Sequence, residues 1–146
     1  MSAQILVASA ARTESGNSGA LTPFRSTLGV KALILQLTVS AAATESGDLL
    51  DVYVQHSPDD GTTWDDFIHF TQVLGNGGAK KFIATWMRDV TPESELKAPA
   101  DASLAAGVLQ GPISPTLRVK WVIVDASTDN ASFTFSVTAQ PIFDAR

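Results

Sequence analysis

The chain has 146 residues, no cysteine, a net charge of −5 and a pI near 4.8. At that length one domain buries its own core without covalent staples, and the missing thiols exclude disulfides and thiolate metal sites. The acidic balance argues against a nucleic-acid partner, which needs a basic patch to displace phosphate counterions. No apolar run approaches the ~20 residues of a membrane-spanning helix, so no membrane partner is expected. Only 17% of residues are charged while 45% are apolar, a balance that suits a well-packed β-domain or a surface given up to partners. The start, Met1-Ser2-Ala3-Gln4, lacks the basic and long apolar pattern of a signal peptide, so a soluble product of a cytoplasm is expected.

Taken in order, the chain begins with a short strand signal at Ile5, Leu6 and Val7. The stretch Ala11-Arg12-Thr13-Glu14-Ser15-Gly16-Asn17-Ser18-Gly19 is rich in turn formers, so residues 1–20 read as an N-terminal arm. Phe24 and Leu28 lead into a core strand in which Leu33, Leu35, Leu37 and Val39 share one face. Residues 48–70 are the most strongly patterned part. There Leu50, Val52 and Val54 alternate with Asp51, Tyr53 and Gln55, which buries one side of a strand and leaves the other wet. The chain then turns through Ser57-Pro58-Asp59-Asp60-Gly61-Thr62-Thr63-Trp64 and returns as an apolar run over residues 67–70. Pro, Asp and Gly set that turn by fixed φ, side-chain-to-backbone hydrogen bonds and access to positive φ, respectively. After a turn at Gly75-Asn76-Gly77-Gly78, residues 80–87 form a strand with Phe82, Ala84 and Trp86 on one face.

Residues 88–115 break the pattern, with four of the seven prolines and no sustained alternation. Thr91-Pro92-Glu93 has the form of a helix N-cap with proline at the first helical position, and residues 101–107 suit a short helical turn. Loops of this length inside a compact domain are usually functional or disordered, and the segment reads either as an insertion reaching off the sheets towards a partner or as a plain floppy loop. Strand alternation resumes with Leu117, Val119, Trp121 and Ile123 against Arg118, Lys120, Val122 and Val124, and ends with Phe133, Phe135 and Val137. Seven or eight short strands with almost no helix predict a single all-β domain over residues 1–146. Its expected form is an antiparallel β-sandwich or jelly roll with one long insertion loop.

Few residues suggest chemistry. His56 and His69 flank the hairpin, and alternation lets them approach each other across it, with Asp59, Asp65 and Asp66 near enough to complete a metal site. No His-x-x-x-His spacing supports that site, and Asp59, Asp60, Asp65 and Asp66 lack the spacing and closing Glu of an EF-hand. There is no Gly-x-Ser-x-Gly elbow and no phosphate-binding loop, while a carboxylate pair for glycoside hydrolysis depends on three-dimensional spacing. Tyr53, Trp64 and Trp86 suit either a sugar-stacking platform or packing at the sheet edges. No catalytic residue, cofactor or metal ligand is assigned.

Two resemblances add to this reading. Ser57-x-Asp59-x-Gly61-x-Thr63-Trp64 is similar to the Asp-box of sialidases and related propellers, Ser-x-Asp-x-Gly-x-Thr-Trp. In those proteins the box is a structural hairpin remote from catalysis. Its single copy here implies a turn tied by Asp59 and the Ser57 and Thr63 hydroxyls, with Trp64 packed beneath. The second resemblance rests on the Arg12-Thr13-x-Ser15-Gly16-Asn17-Ser18-Gly19 opening, on Leu50-Asp51-Val52-Tyr53-Val54-Gln55 running into Asp60-Gly61-Thr62-Thr63-Trp64, and on Ser132-Phe133-Thr134-Phe135-Ser136-Val137. As a set these resemble small structural proteins of tailed-bacteriophage virions, among which acidic β-rich chains of this size serve as head decoration (cement) proteins. The resemblance implies a non-enzymatic homo-oligomer, often a trimer, that sits on the capsid exterior and binds the major capsid protein. Expected contact residues are Ile5, Leu6 and Val7 at the start and Leu96, Leu104, Val108 and Leu109 in the insertion. A neck or tail protein and a carbohydrate-binding module are the alternatives.

Overall fold

The structure, a computed structural model, describes residues 3–24, 29–90, 104–126 and 130–144. Among these residues are the strands β1 (Gln4–Arg12), β2 (Gly16–Asn17), β3 (Val30–Ala41), β4 (Leu49–His56) and β5 (Asp65–His69). They continue with β6 (Val73–Leu74), β7 (Lys80–Met87), β8 (Gly107–Val108), β9 (Leu117–Val124) and β10 (Phe133–Phe143). One sheet, sheet A, has the order β1-β10-β3-β7; sheet B has the order β2-β9-β4-β5-β8, with β6 also paired to β4. All the pairings are antiparallel, and the two sheets pack face to face as a β-sandwich.

The principal pairs nest. β4 pairs with β5, β3 with β7, β2 with β9 and β1 with β10. Such nesting is one long hairpin rolled over itself, the jelly-roll arrangement, and residues 48–70 form its innermost turn.

The core follows from alternation. Leu33, Leu35, Leu37 and Val39 of β3 and Phe133, Phe135, Val137 and Ala139 of β10 point inward from sheet A. They meet Leu50, Val52 and Val54 of β4 and Leu117 and Val119 of β9 from sheet B. Each large apolar side chain buried here contributes roughly 1.5–3 kcal/mol relative to exposure. Trp86 is fully buried beside Phe67, with ring centroids 6.4 Å apart. Its indole Nε1–H donates to the Gly111 carbonyl at 2.7 Å, which satisfies its polar atom inside the core. One glycine is dictated by space: a Cβ at Gly75 would stand 1.9 Å from the Glu45 carbonyl oxygen. That close approach lets Gly75 N–H donate to the Asp48 carbonyl at 2.7 Å and closes the turn before β7.

Two expectations about organisation change. Residues 4–12 are not a free arm but the edge strand of sheet A, paired along β10. Beyond them the polar opening runs along β9, where serine hydroxyls stand in for ladder groups. Val119 N–H donates to Ser18 Oγ at 3.0 Å and Ile123 N–H to Ser15 Oγ at 2.8 Å. The insertion also turns back. Thr91-Pro92-Glu93 lies outside the described residues, and residues 104–107 carry no helix but lead into β8. β8 pairs with β5, Leu109 N–H donates to the Phe67 carbonyl at 2.8 Å, and residues 110–111 bond to the end of β7. Of the described residues here, Leu104 and 107–111 place backbone or side-chain groups on partners of the body, and this part lies against the sandwich.

Candidate interaction surfaces

The hairpin tip is a closed hydrogen-bond cage. Ser57 Oγ–H donates to Asp59 Oδ1 at 2.9 Å and accepts from Gly61 N–H at 2.6 Å. Asp59 also accepts from Thr63 N–H at 2.7 Å and from the Thr63 hydroxyl at 2.8 Å. These bonds, the Thr63 backbone N–H first, hold the Asp59 carboxyl below its usual range. Asp60 and Gly61 carry the positive φ that the tip needs, 58° and 94°. Trp64 lies under the Arg118 guanidinium, 4.6 Å from the ring centroid. The tip thus uses its own carboxylate and hydroxyls internally.

The outer face of sheet B is a network of paired side chains. Asp66 Oδ1 accepts from Gln55 Nε2 at 2.6 Å, and Gln55 Oε1 accepts from Arg118 Nε at 2.7 Å. Partial burial lowers the Arg118 pKa, opposed by the charge of Asp66. Next to it His69 stacks on Tyr53 at 4.1 Å, and Lys120 approaches the other ring within 5.6 Å. His69 Nδ1 lies 2.7 Å from the Leu104 carbonyl and Nε2 lies 2.9 Å from Asp51 Oδ1. A carbonyl only accepts, so Nδ1 carries a proton; the Asp51 contact becomes an ion pair when Nε2 carries one too. Asp66 Oδ2 accepts from Leu104 N–H at 3.0 Å, so both backbone groups of Leu104 are held.

The two histidines do not meet. The register sets Tyr53 opposite His69 and Asp65 opposite His56, so His69 lies on the outer face while His56 lies on the core-facing phase. His56 Nδ1 accepts from Ser114 N–H at 3.1 Å, and its ring meets the edge of Phe67. Among the described residues no group of three His, Asp or Glu side chains is placed to hold a metal. Nor do the aromatics make a stacking platform: Trp86 is in the core, Tyr53 is covered by His69 and Lys120, and Trp64 lies beneath Arg118.

The outer face of sheet A is different. Cross-strand register puts Gln140, Ile34 and Thr85 in one row, Thr138, Gln36 and Ile83 in the row above, and Ile142, Ala32 and Met87 in the row below. Ile34 is therefore the centre of an apolar patch, with Ile83, Met87 and Ile142 at its diagonals, each within reach of Ile34. Ile83 is 63% exposed, and Ile34, Met87 and Ile142 are exposed as well. Apart from Ala32 and the lysines, the remaining positions of β3, β7 and β10 on this face are Thr, Ser and Gln. The charges that the register places on this face are Lys81 and, at the bulge before Ala32, Lys31.

Of the contact residues expected from the sequence, Ile5 is 69% exposed and joins this face opposite Thr138. Leu6 and Val7 are buried in the core instead, a β-bulge at this point turning both inward. Leu96 lies outside the described residues. Leu104, Val108 and Leu109 are half-buried against the body, held by the Leu104 bonds to Asp66 and His69, by the Val108 pairing with Ile68 and by the Leu109 bond to Phe67. Ile34, Ile83, Met87 and Ile142 escaped the sequence reading. Their signal was present as apolar residues on the polar phase of alternating strands, Ile34 between Leu33 and Leu35 and Ile83 between Phe82 and Ala84.

No protein-family model matches the chain, and neither a curated protein nor a solved structure matches it.

Proposed function

We propose that this chain is a non-enzymatic structural protein of a tailed-phage virion that decorates the capsid and stiffens it by bridging major capsid protein subunits. The observation that carries this reading is the outer face of sheet A, where Ile34, Ile83, Met87 and Ile142 form an apolar patch in a field of Thr, Ser and Gln with two lysines at its margins. Exposed apolar patches ringed by polar residues mark protein contact surfaces. The resemblance of its sequence motifs to those of small phage virion proteins supports the same reading. The jelly roll, a fold used by viral capsid domains, agrees by analogy.

The mechanism is interface burial. Removing apolar surface from water stabilises by about 25 cal/mol per Å², before the cost of association. A patch of this size alone makes a weak contact, so a homo-oligomer, a trimer at capsid three-fold positions, supplies the multivalency that makes attachment durable. Enzymatic chemistry has no part in it.

Purified shells that lack the protein provide the test, heated with and without the added chain. Retention on the shell and a higher bursting temperature are expected. Shells that do not retain the chain contradict the proposal.

A further inference from the structure

We infer that residues 81–85 of β7 form a strand-addition site, which takes an extended, partly apolar segment of another protein carrying an acidic residue at its C-terminal end. This site is an edge of sheet A, separate from the outer face that carries the proposed capsid contact.

A sandwich has four sheet edges, and three are closed here. Sheet B ends in the two-residue strands β2 and β8, too short to template a partner. On sheet A, β1 is bent by two register shifts, and the Arg12 guanidinium takes the Ala8 and Ala10 carbonyls at 3.0 Å each. Bulges and side-chain plugs of this kind protect an edge.

The fourth edge is β7, and only part of it is closed. Arg88 N–H donates inward to the Lys31 carbonyl, so alternation turns the backbone groups of Met87, Thr85, Ile83 and Lys81 outward. At the lower end Gln110 imitates an added strand. Its Oε1 accepts from Met87 N–H at 2.6 Å, its Nε2–H donates to the Thr85 carbonyl at 3.0 Å, and Gly111 N–H donates to the Met87 carbonyl at 3.1 Å. The same row of outward groups continues through Ile83 to Lys81, and among the described residues these two have no backbone partner on that side.

A groove of about 320 Å³ opens beside this row, where the two sheets part, lined by the apolar Phe70, Phe82 and Val108 and by the polar His69, Thr71 and Thr85. Strand alternation puts the residues of an added strand that oppose Phe82 and Ala84 over this groove, which admits small side chains such as Val or Thr there. Charge selects the end. Lys80 and Lys81 are exposed, and among the described residues neither has a salt bridge. In an antiparallel addition they meet the C-terminal end of the incoming strand, where a carboxylate opposite Lys81 completes a cross-strand pair. The net charge of −5 opposes this little, because distant charges are screened beyond ~8 Å at physiological salt.

The test uses the full chain and a blocked pentapeptide, acetyl-Thr-Val-Thr-Val-Glu-amide, with a second peptide carrying lysine in place of glutamate. Amide hydrogen exchange followed by NMR is expected to slow at Ile83 and Thr85 with millimolar glutamate peptide, which binds about fivefold tighter than the lysine peptide. The exposed substitution Lys81→Glu reverses that preference, and Gln110→Ala, which frees the Thr85 carbonyl for the peptide, tightens binding. Unchanged exchange at Ile83 in both the wild type and Gln110→Ala overturns the inference. So does a peptide preference that Lys81→Glu leaves unaltered.

Discussion

The outer faces of sheets A and B are built on the same two-residue period, and they use it in opposite ways. On sheet B, Asp51, Gln55, Asp66, His69 and Arg118 bond to one another or to the backbone of Leu104. On sheet A the corresponding positions carry Ile, Thr, Ser and Gln, with Ile34 at the centre of an exposed apolar patch. A polar face whose donors and acceptors are paired gains little by exchanging those bonds for intermolecular ones. An apolar face keeps its transfer free energy unrealised until a partner covers it. Exposure alone therefore does not mark a contact surface, and the pairing of side chains on a face separates a finished surface from one left open.

Substitutions can break or sharpen this contrast. The largest effect belongs beneath both faces: Trp86→Ala removes a fully buried side chain and its bond to Gly111, and is expected to cost about 3–5 kcal/mol in urea denaturation. A small loss there would mean that the core does not hold the two sheets in register. Next comes the hairpin tip of sheet B. Ser57→Ala strips the acceptor from Gly61 N–H at a buried position, and equilibrium unfolding should register a loss of about 1–3 kcal/mol.

The tip also predicts a pH dependence. The Asp59 carboxyl is depressed by the Thr63 N–H and hydroxyl, so its contribution is present above the unfolded value of about 3.9 and is lost as pH falls through the folded value. The midpoint difference between the wild type and Asp59→Asn is expected to narrow from about pH 6 to about pH 3. A difference that stays constant with pH would show that the ionised carboxylate does not tie the turn. The smallest effect on stability belongs to sheet A. Ile34→Ser and Ile83→Ser should change it by only about 0.5 kcal/mol each, while the double variant weakens retention on shells about tenfold or more. Large destabilisation with unchanged retention would invert the contrast.

Much of the fold is legible in the sequence because alternation is a local code. Leu33, Leu35, Leu37 and Val39 declare an inward face without reference to anything distant, and the Ser57 to Trp64 box declares its turn through contacts no more than a few residues apart. What alternation leaves out is how a wet face is covered. Tyr53 sits on the outer phase of β4 yet is buried, because Lys120 and His69 arrive from other strands. The separation of His56 from His69 depends on a bulge between Val54 and Gln55 in the pairing of β4 with β5. The return of residues 104–115 depends on partners such as Asp66, Phe67 and Trp86, some 20 to 40 residues away in the chain. The open patch on sheet A was written locally, as isoleucines out of phase, but its meaning required the register that gathers them.

The central claim is that this chain is a repeated component of a phage shell, and counting tests it most directly. Quantitative mass spectrometry of purified virions, with the major capsid protein as the internal standard, gives the number of copies per particle. The account predicts a stoichiometry that tracks the capsid lattice, reaching hundreds of copies. A handful of copies, or none, would contradict it.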